Sequence, residues 1–175
     1  MYNVTKKIKP SSKKMITKRY LPDRLSRKDR DSQARMLKKS RRLYKKGVYF
    51  SRKQLKSYPH KNSSHVIKAK KVYHIETIEP SKELAKKTGC SVEALEKIVN
   101  KGEGAYFSSG SRPNQTAQSW GIARLASSIT GGKAAAVDYN ILEEGCSKRS
   151  RALQFAKKAR KTYAYGKHRV PKTLL

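Results

Sequence analysis

Apolar residues recur at helical spacing through the centre of the chain, and a possible cap and a possible stop bracket each stretch. Their shared faces comprise Leu95, Ile98 and Val99, then Trp120, Ala123, Leu125 and Ile129, then Val137, Ile141 and Leu142. The predicted helices with their caps are Ser81 before 82–88, Ser91 before 92–100, Thr116 before 117–129 and Ser147 before 148–163, with stops at Gly89, Gly102, Gly131 and Gly166. This pattern predicts a mainly α fold with a small helical domain.

The N-terminal part of the chain has a weaker pattern. Residues 1–30 carry isolated apolar residues at no sustained period, which predicts a segment that is extended or disordered unless bound. Residues 32–46 predict one helix that stops at Gly47, with a narrow apolar seam and a cationic remainder, so we expect it to lie on a partner surface. The residues of that seam are Met36, Leu37, Ser40, Leu43 and Tyr44.

Two further stretches precede the helical centre. Residues 51–57 predict a helix of one or two turns capped by Ser51. The β-branched runs at 66–67 and 72–78 predict either strands or extended segments that lead into the centre. The pattern leaves these two alternatives open.

Charge is segregated along the chain. Residues 1–70 hold 24 Lys and Arg against 3 acids, residues 71–145 hold 9 against 9, and residues 146–175 hold 10 against none. We therefore divide the chain into a basic N-terminal arm (1–70), a neutral helical domain (71–145) and a basic C-terminal helix and tail (146–175). Extended lysine-rich arms bury too little apolar surface to fold alone, so an anionic or folded partner must receive them.

Tyrosine is concentrated beside the N-terminal cations, which suits docking onto a protein surface because the ring is buried while the hydroxyl keeps a partner. Six of the ten tyrosines lie in or beside this arm: Tyr2, Tyr20, Tyr44, Tyr49, Tyr58 and Tyr73. The residues that we expect to make the arm contacts are Arg35, Lys38, Arg41, Arg42, Tyr44 and Tyr49.

The cysteine content and the apolar runs limit the class of protein. Cys90 and Cys146 form no disulfide framework, and no further ligand lies near either at metal-site spacing, so we expect a reducing compartment. No run approaches the roughly 18 apolar residues of a membrane span, and the first residues lack the apolar run of a secretion signal. We expect a soluble intracellular product or a component of a particle assembled in a cell.

Residues 84–98 resemble a helix-turn-helix. Ala85 allows close approach of two helices, Gly89 supplies a left-handed turn residue, and Cys90, Leu95 and Ile98 fall where the second helix packs inward. The exposed positions of that helix include Glu93 and Glu96, which phosphates would repel. We favour a structural hairpin over a DNA-reading one.

The stretch 102–116 is rich in Gly, Ser, Asn and Thr and leads into a predicted helix N-terminus beside Arg112. Backbone donors, a helix dipole and a planar cation are the components of an anion site. The alternative is that the glycines turn the chain while Asn114 or Thr116 caps the helix. The candidate anion-binding or partner-binding residues are Arg112, Asn114, Arg124 and Lys133.

Catalysis has little support from the residue pattern. His60, His65, His74 and His168 have no carboxylates at triad-like or metal-like spacing, and Glu143 and Glu144 point apart on a helix. We expect no catalytic residue, no metal and no cofactor, so the protein is expected to be non-enzymatic.

Three consecutive motifs carry a family resemblance. They are GAYFSSGSRPNQT at 104–116, SWGIARLAS at 119–127 and GGK at 131–133. Over roughly residues 81–146 the chain resembles a small domain of uncharacterised function in large double-stranded DNA viruses of algae and amoebae and in some tailed phages. The resemblance implies a viral origin, and the basic arms fall outside it.

Two classes of function follow. The first, which we favour, is a minor capsid protein on the inner face of a virion, with arms that bind the major capsid protein, other minor capsid proteins and possibly double-stranded DNA. The second is a nucleic-acid-binding protein, either genome-condensing or regulatory, that uses the arms and the hairpin. Protein grooves would bury Tyr and Leu side chains, whereas DNA would engage mainly Lys and Arg heads. An enzyme acting at 102–116 ranks last.

Overall fold

The computed structural model describes residues 15–167 and 169–175, and within these ranges the chain is mainly helical, as predicted. The predictions for residues 1–14 and for His168 lie outside the described residues. The elements are β1 (Met15–Thr17), α1 (Arg27–Tyr44), α2 (Ser64–Tyr73), α3 (Lys82–Thr88), α4 (Val92–Ser108), α5 (Ala117–Ile129), α6 (Lys133–Val137), α7 (Tyr139–Gly145), α8 (Arg151–Thr162) and β2 (Lys172–Leu174), with 3-10 turns at Lys18–Tyr20 and Ala164–Gly166.

The main core surrounds the α4 and α5 pair. Leu95 and Ile98 of α4 and Leu125 and Ile129 of α5 are completely buried, and α2, α3, α6, α7 and α8 pack around them. The two central helices approach at Gly102 and Gly121, where a Cβ on Gly102 would lie 2.7 Å from the Gly121 Cα. A methyl group does not fit at either position, so the helices meet backbone to backbone.

The close approach explains why residue 102 is a glycine, and this glycine does not end a helix. It lies inside α4, which continues to Ser108, so the predicted stop at this position is wrong. The caps Ser81, Ser91 and Thr116 are confirmed, since each side chain accepts a backbone N–H in the first turn of its helix. The cap of α8 is Ser150 rather than Ser147.

Gly102→Ala and Gly121→Ala are each expected to lower the free energy of unfolding by about 1–3 kcal/mol, because the added methyl group overpacks the crossing. A Cβ on Gly121 would lie 2.8 Å from the backbone oxygen of Val99. The matched control is Gly104→Ala in the same helix, where the nearest atom would be the Tyr44 hydroxyl at 3.6 Å. Chemical denaturation of the three variants checks this, and equal stability of Gly104→Ala and Gly102→Ala would contradict it.

A second hydrophobic cluster comes from residues 16–58. Ile16, Leu37 and Leu55 are buried in it, and Trp120 of α5 packs against it, with its ring 5.8 Å from that of Tyr20. Gln33 is also buried and donates its side-chain amide to the Tyr20 carbonyl. Residues 15–70 are therefore folded against the helical centre, which corrects the prediction of an extended or disordered segment between 15 and 30.

The helix predicted at 32–46 is confirmed as α1, which begins at Arg27 after the Ser26 cap. Its buried residues are Gln33, Met36, Leu37 and Ser40, and they face the protein's own core rather than a partner. Residues 66–67 and 72–73 lie in α2, so the predicted strands are absent there. Residues 51–57 form no helix.

The C-terminal basic segment is folded as well. Ala152, Leu153, Ala156 and Ala159 of α8 are buried in the main core. After α8 the chain returns to its other end, where β2 pairs antiparallel with β1, and Thr173 lies opposite Ile16. Within the described ranges, both basic segments thus pack against the helical centre or against each other.

Cys90 and Cys146 form a disulfide, which corrects the expectation that the two cysteines make no disulfide framework. The bond joins the turn between α3 and α4 to the junction between α7 and α8. Two backbone hydrogen bonds flank it, from Ser91 N–H to the Gly145 oxygen at 2.7 Å and from Ser147 N–H to the Gly89 oxygen at 2.8 Å. A reducing compartment, which was inferred from unpaired cysteines, loses its basis.

The predicted hairpin at 84–98 consists of α3 and the first turns of α4, with Gly89 in the left-handed conformation between them. Leu84, Leu95 and Ile98 are buried, while Glu93 and Glu96 are exposed. Among the helices of the described ranges, none has the length and apolar character needed to cross a bilayer.

Candidate polyanion-binding surface

The outer face of α1 carries the predicted cations. Arg35, Lys38 and Arg42 are exposed and follow one another at helical spacing of three and four, opposite the buried seam. That these three exposed residues contact a partner stays a prediction.

Arg41 has a different position from its neighbours. Its guanidinium donates to the backbone oxygen of Ser109 at 2.7 Å, and desolvation by burial lowers its pKa. Arg41 therefore ties α1 to the end of α4.

Arg52 is also a structural contact, and the sequence pattern does not predict it. It donates to the Tyr106 carbonyl at 2.9 Å and to Ser111 Oγ at 2.7 Å, and it lies 3.7 Å from the centre of the Tyr106 ring. Burial lowers its pKa. Arg52 holds residues 106–111 to the N-terminal cluster, and no local signal in the sequence distinguishes it from the exposed arginines.

A basic cluster forms where α2 meets the turn between α5 and α6. Lys68 donates to the Thr130 carbonyl at 3.0 Å, and a Cβ on Gly132 would lie 3.2 Å from Cε1 of His65. Lys133 follows directly after this turn. The GGK motif is therefore placed against α2.

Arg19 and Arg112 also act electrostatically on His65. Partial desolvation lowers the pKa of His65, and the positive charges of Arg112, Lys68 and Arg19 lower it further. Desolvation and the charge of Arg19 lower the pKa of Lys133. We call Arg19, His65, Lys68, Arg112 and Lys133 the basic cluster.

All charges that shift the His65 pKa are positive, so the folded chain brings like charges together there. Such an arrangement is unfavourable alone and is relieved by an anion, most strongly by a phosphate that accepts several charged hydrogen bonds. Arg112 and Lys133 were predicted as anion-binding residues, and both lie in the cluster. Arg19, His65 and Lys68 were not predicted, because they come from the segment read as an arm.

Asn114 is not brought to the basic cluster. Its backbone is left-handed with φ of 58°, and its side chain accepts from Leu55 N–H and donates to the carbonyls of Leu55 and Tyr58. The cap of α5 is Thr116, as one of the predicted alternatives has it, and not Asn114. Asn114 instead clamps residues 55–58 to the loop.

Arg124 is also structural. It makes two hydrogen bonds of 2.7 Å to the carboxylate of Asp138, which is completely buried and also accepts from Lys101 and Ser128. Arg124 is thus committed to an internal ion pair. The loop predicted as an anion site is reduced to residues 109–116, of which Arg112 alone belongs to the basic cluster.

Tyr44 and Tyr49 lie together beside Phe107 of α4, at the C-terminal end of α1. No group of three or more His, Cys, Asp or Glu side chains in the described part of the chain could hold a metal ion.

Comparison with known proteins identifies one family. The model of a family of unknown function (DUF5824) matches residues 18–154, a span that includes most of the basic N-terminal segment as well as the helical centre. No curated protein and no solved structure matches the chain.

Proposed function

The chain belongs to the DUF5824 family, whose function is unknown, and we propose that it is a non-enzymatic nucleic-acid-binding protein that uses a folded basic surface. The observation that carries the proposal is the direction in which the N-terminal side chains point. Tyr20, Leu37, Leu55 and Tyr58 are buried in the protein's own core, while almost all neighbouring cations face outward.

This distribution of buried apolar and exposed cationic side chains distinguishes a protein partner from a polyanionic one. A segment that docked into protein grooves would offer apolar and tyrosine side chains, whereas one that binds a polyanion offers cationic heads. The chain has 43 Lys and Arg against 12 acids, so most cations have no carboxylate to pair with. Phosphate groups are the complementary partner, and the affinity would be independent of sequence and steeply dependent on salt.

The basic cluster is the expected centre of this surface. It collects positive side chains from a 3-10 turn, from α2, from the loop before α5 and from the start of α6. Several elements must be folded for these charges to converge. Binding at this place therefore requires the tertiary structure and not only the composition.

Arg19→Gln, Lys68→Gln and Arg112→Gln combined are expected to weaken DNA binding and to flatten its salt dependence. In duplex DNA the slope of log K against log salt changes by about 0.9 for each phosphate that the protein no longer neutralises, so a change of roughly 2–3 is expected. Fluorescence anisotropy with a labelled oligonucleotide across a salt titration measures it.

The matched control is Lys82→Gln, Lys86→Gln and Lys87→Gln, which removes three exposed charges from α3 instead. A slope close to that of the wild type is expected for this control. Equal slopes in both triple variants would contradict a binding centre at the basic cluster. Salt-independent wild-type binding would contradict the function itself.

A structural role in a virus particle is the second candidate, and the disulfide favours it. Such bonds persist where the surroundings are oxidising, as on or in particles outside the cell. The two roles are compatible, because a protein on the inner face of a capsid can bind both neighbouring capsid proteins and the genome. Mass spectrometry of purified virions of the encoding virus tests it, and absence of the chain would contradict it.

A further inference from the structure

A cleft of about 400 Å³ lies between the end of α1 and the C-terminal half of α4. Its walls combine aromatic rings, two polar side chains and one glycine: Tyr44, Tyr49, Phe107, Asn100, Glu103 and Gly104. The basic cluster described above does not include any of these residues.

The three rings form a fixed platform. Tyr44 and Phe107 are parallel within 6° at a centroid distance of 6.3 Å, and Tyr49 meets both of them edge to face. Tyr49 nevertheless stays 69% exposed. A large ring that is held by two others and still faces solvent offers a surface on which a flat ligand can stack.

Gly104 leaves the floor of the cleft open. Glycine inside a helix lowers the helix stability by about 1 kcal/mol relative to alanine. At Gly102 the close crossing with α5 explains why glycine is present despite this cost. At Gly104 a Cβ would meet the Tyr44 hydroxyl alone, at an ordinary 3.6 Å. Packing within the described chain therefore does not require glycine there, and the residue borders the cleft.

The polar wall and the surroundings indicate the class of ligand. Asn100 and Glu103 also line the cleft, and an amide and a carboxylate are groups that can hydrogen-bond to a base with an amino group. Lys45 and Lys46 are exposed in the turn between Tyr44 and Tyr49. Cations beside stacked rings favour a nucleic-acid strand over an apolar peptide.

We propose that this cleft binds an unpaired nucleobase of single-stranded nucleic acid, stacked on Tyr49 and hydrogen-bonded by Asn100 and Glu103. In a duplex the base faces are covered by their neighbours, so the cleft favours single strands. The proposal rests on the proposed function and names the form of nucleic acid that the protein holds.

The test compares two oligonucleotides of equal length and charge, one of adenine nucleotides and one abasic. The wild type is expected to bind the adenine strand about 5- to 100-fold more tightly, since stacking adds to the same phosphate contacts. Tyr49→Ala is expected to abolish this ratio with an unchanged salt slope, and Tyr49→Phe to keep it. Equal wild-type affinity for both strands would overturn the proposal that the cleft binds a base, while the proposed nucleic-acid-binding function would still stand.

A second variant fills the cleft without removing a ring. Gly104→Leu places a good helix former at a half-buried helix position that borders the open cleft, so the protein is expected to remain folded by circular dichroism. Its adenine-to-abasic ratio is expected to fall to about one. A folded Gly104→Leu protein with the wild-type adenine-to-abasic ratio would overturn the proposal. If the wild type binds neither strand, the proposed function is overturned as well.

Discussion

Replacing Cys90 and Cys146 together with serine is expected to lower the free energy of unfolding by about 4 kcal/mol. The disulfide closes a loop with a sequence separation of 56 residues, and a loop of this length restricts the unfolded chain strongly. Both cysteines are buried, and the bond joins two junctions between helices. For a chain of this size the loss corresponds to a fall in the melting temperature of roughly 8–16 °C.

Thermal unfolding with and without a reductant measures this effect. Reductant is expected to lower the melting temperature of the wild type and to leave that of the double-serine variant unchanged. Identical wild-type melting in both conditions would contradict the prediction.

Asp138→Asn is expected to lower the free energy of unfolding by about 3–5 kcal/mol, because it leaves Arg124 without its buried partner charge. Burial alone would raise the pKa of Asp138, but the hydrogen bonds and charges of Arg124 and Lys101 outweigh it and lower the pKa below its ordinary value. The carboxylate therefore stabilises the fold above about pH 4, the ordinary aspartate pKa, and this contribution is lost as the pH falls through the lower folded-state value.

Urea denaturation at neutral pH and at decreasing acidic pH checks both parts. The stability difference between the wild type and Asp138→Asn is expected to shrink as the solution becomes more acidic than about pH 4. Asp23→Asn is the control, since its carboxylate pairs with Lys18 at 2.7 Å on the surface and a much smaller loss is expected there. Equal losses in the two variants would show that burial does not decide the effect.

Local chemistry in the sequence predicted three of the eight helix starts in the described part of the chain, because a Ser or Thr side chain that accepts an N–H three residues later acts within its own turn. Ser81, Ser91 and Thr116 are of this kind. The predicted helix end at Gly102 was wrong because glycine is needed there for a tertiary contact: the backbone of another helix lies against it. The disulfide was missed for the same reason, since its cysteines lie far apart along the chain.

The N-terminal segment shows a further limit of periodicity. Ile16, Leu21 and Leu25 have no helical or strand repeat, yet all three are buried in the second cluster. Irregular chain can pack against a folded surface without a repeating pattern. Because the segment was read as an arm, Arg19, His65 and Lys68 could not be placed with Arg112 and Lys133, although the latter pair was predicted from local sequence.

The pairing of β1 with β2 also bears on the order of folding. Met15 and Leu174 are separated by most of the chain, so their contact is among the most non-local in the described fold. Contacts of this kind form late, after the entropy of closing the intervening loop has been overcome. During synthesis, Ile16 stays without its strand partner until Thr173 has left the ribosome, so the N-terminal cluster reaches its final packing later than the helices that are made between them.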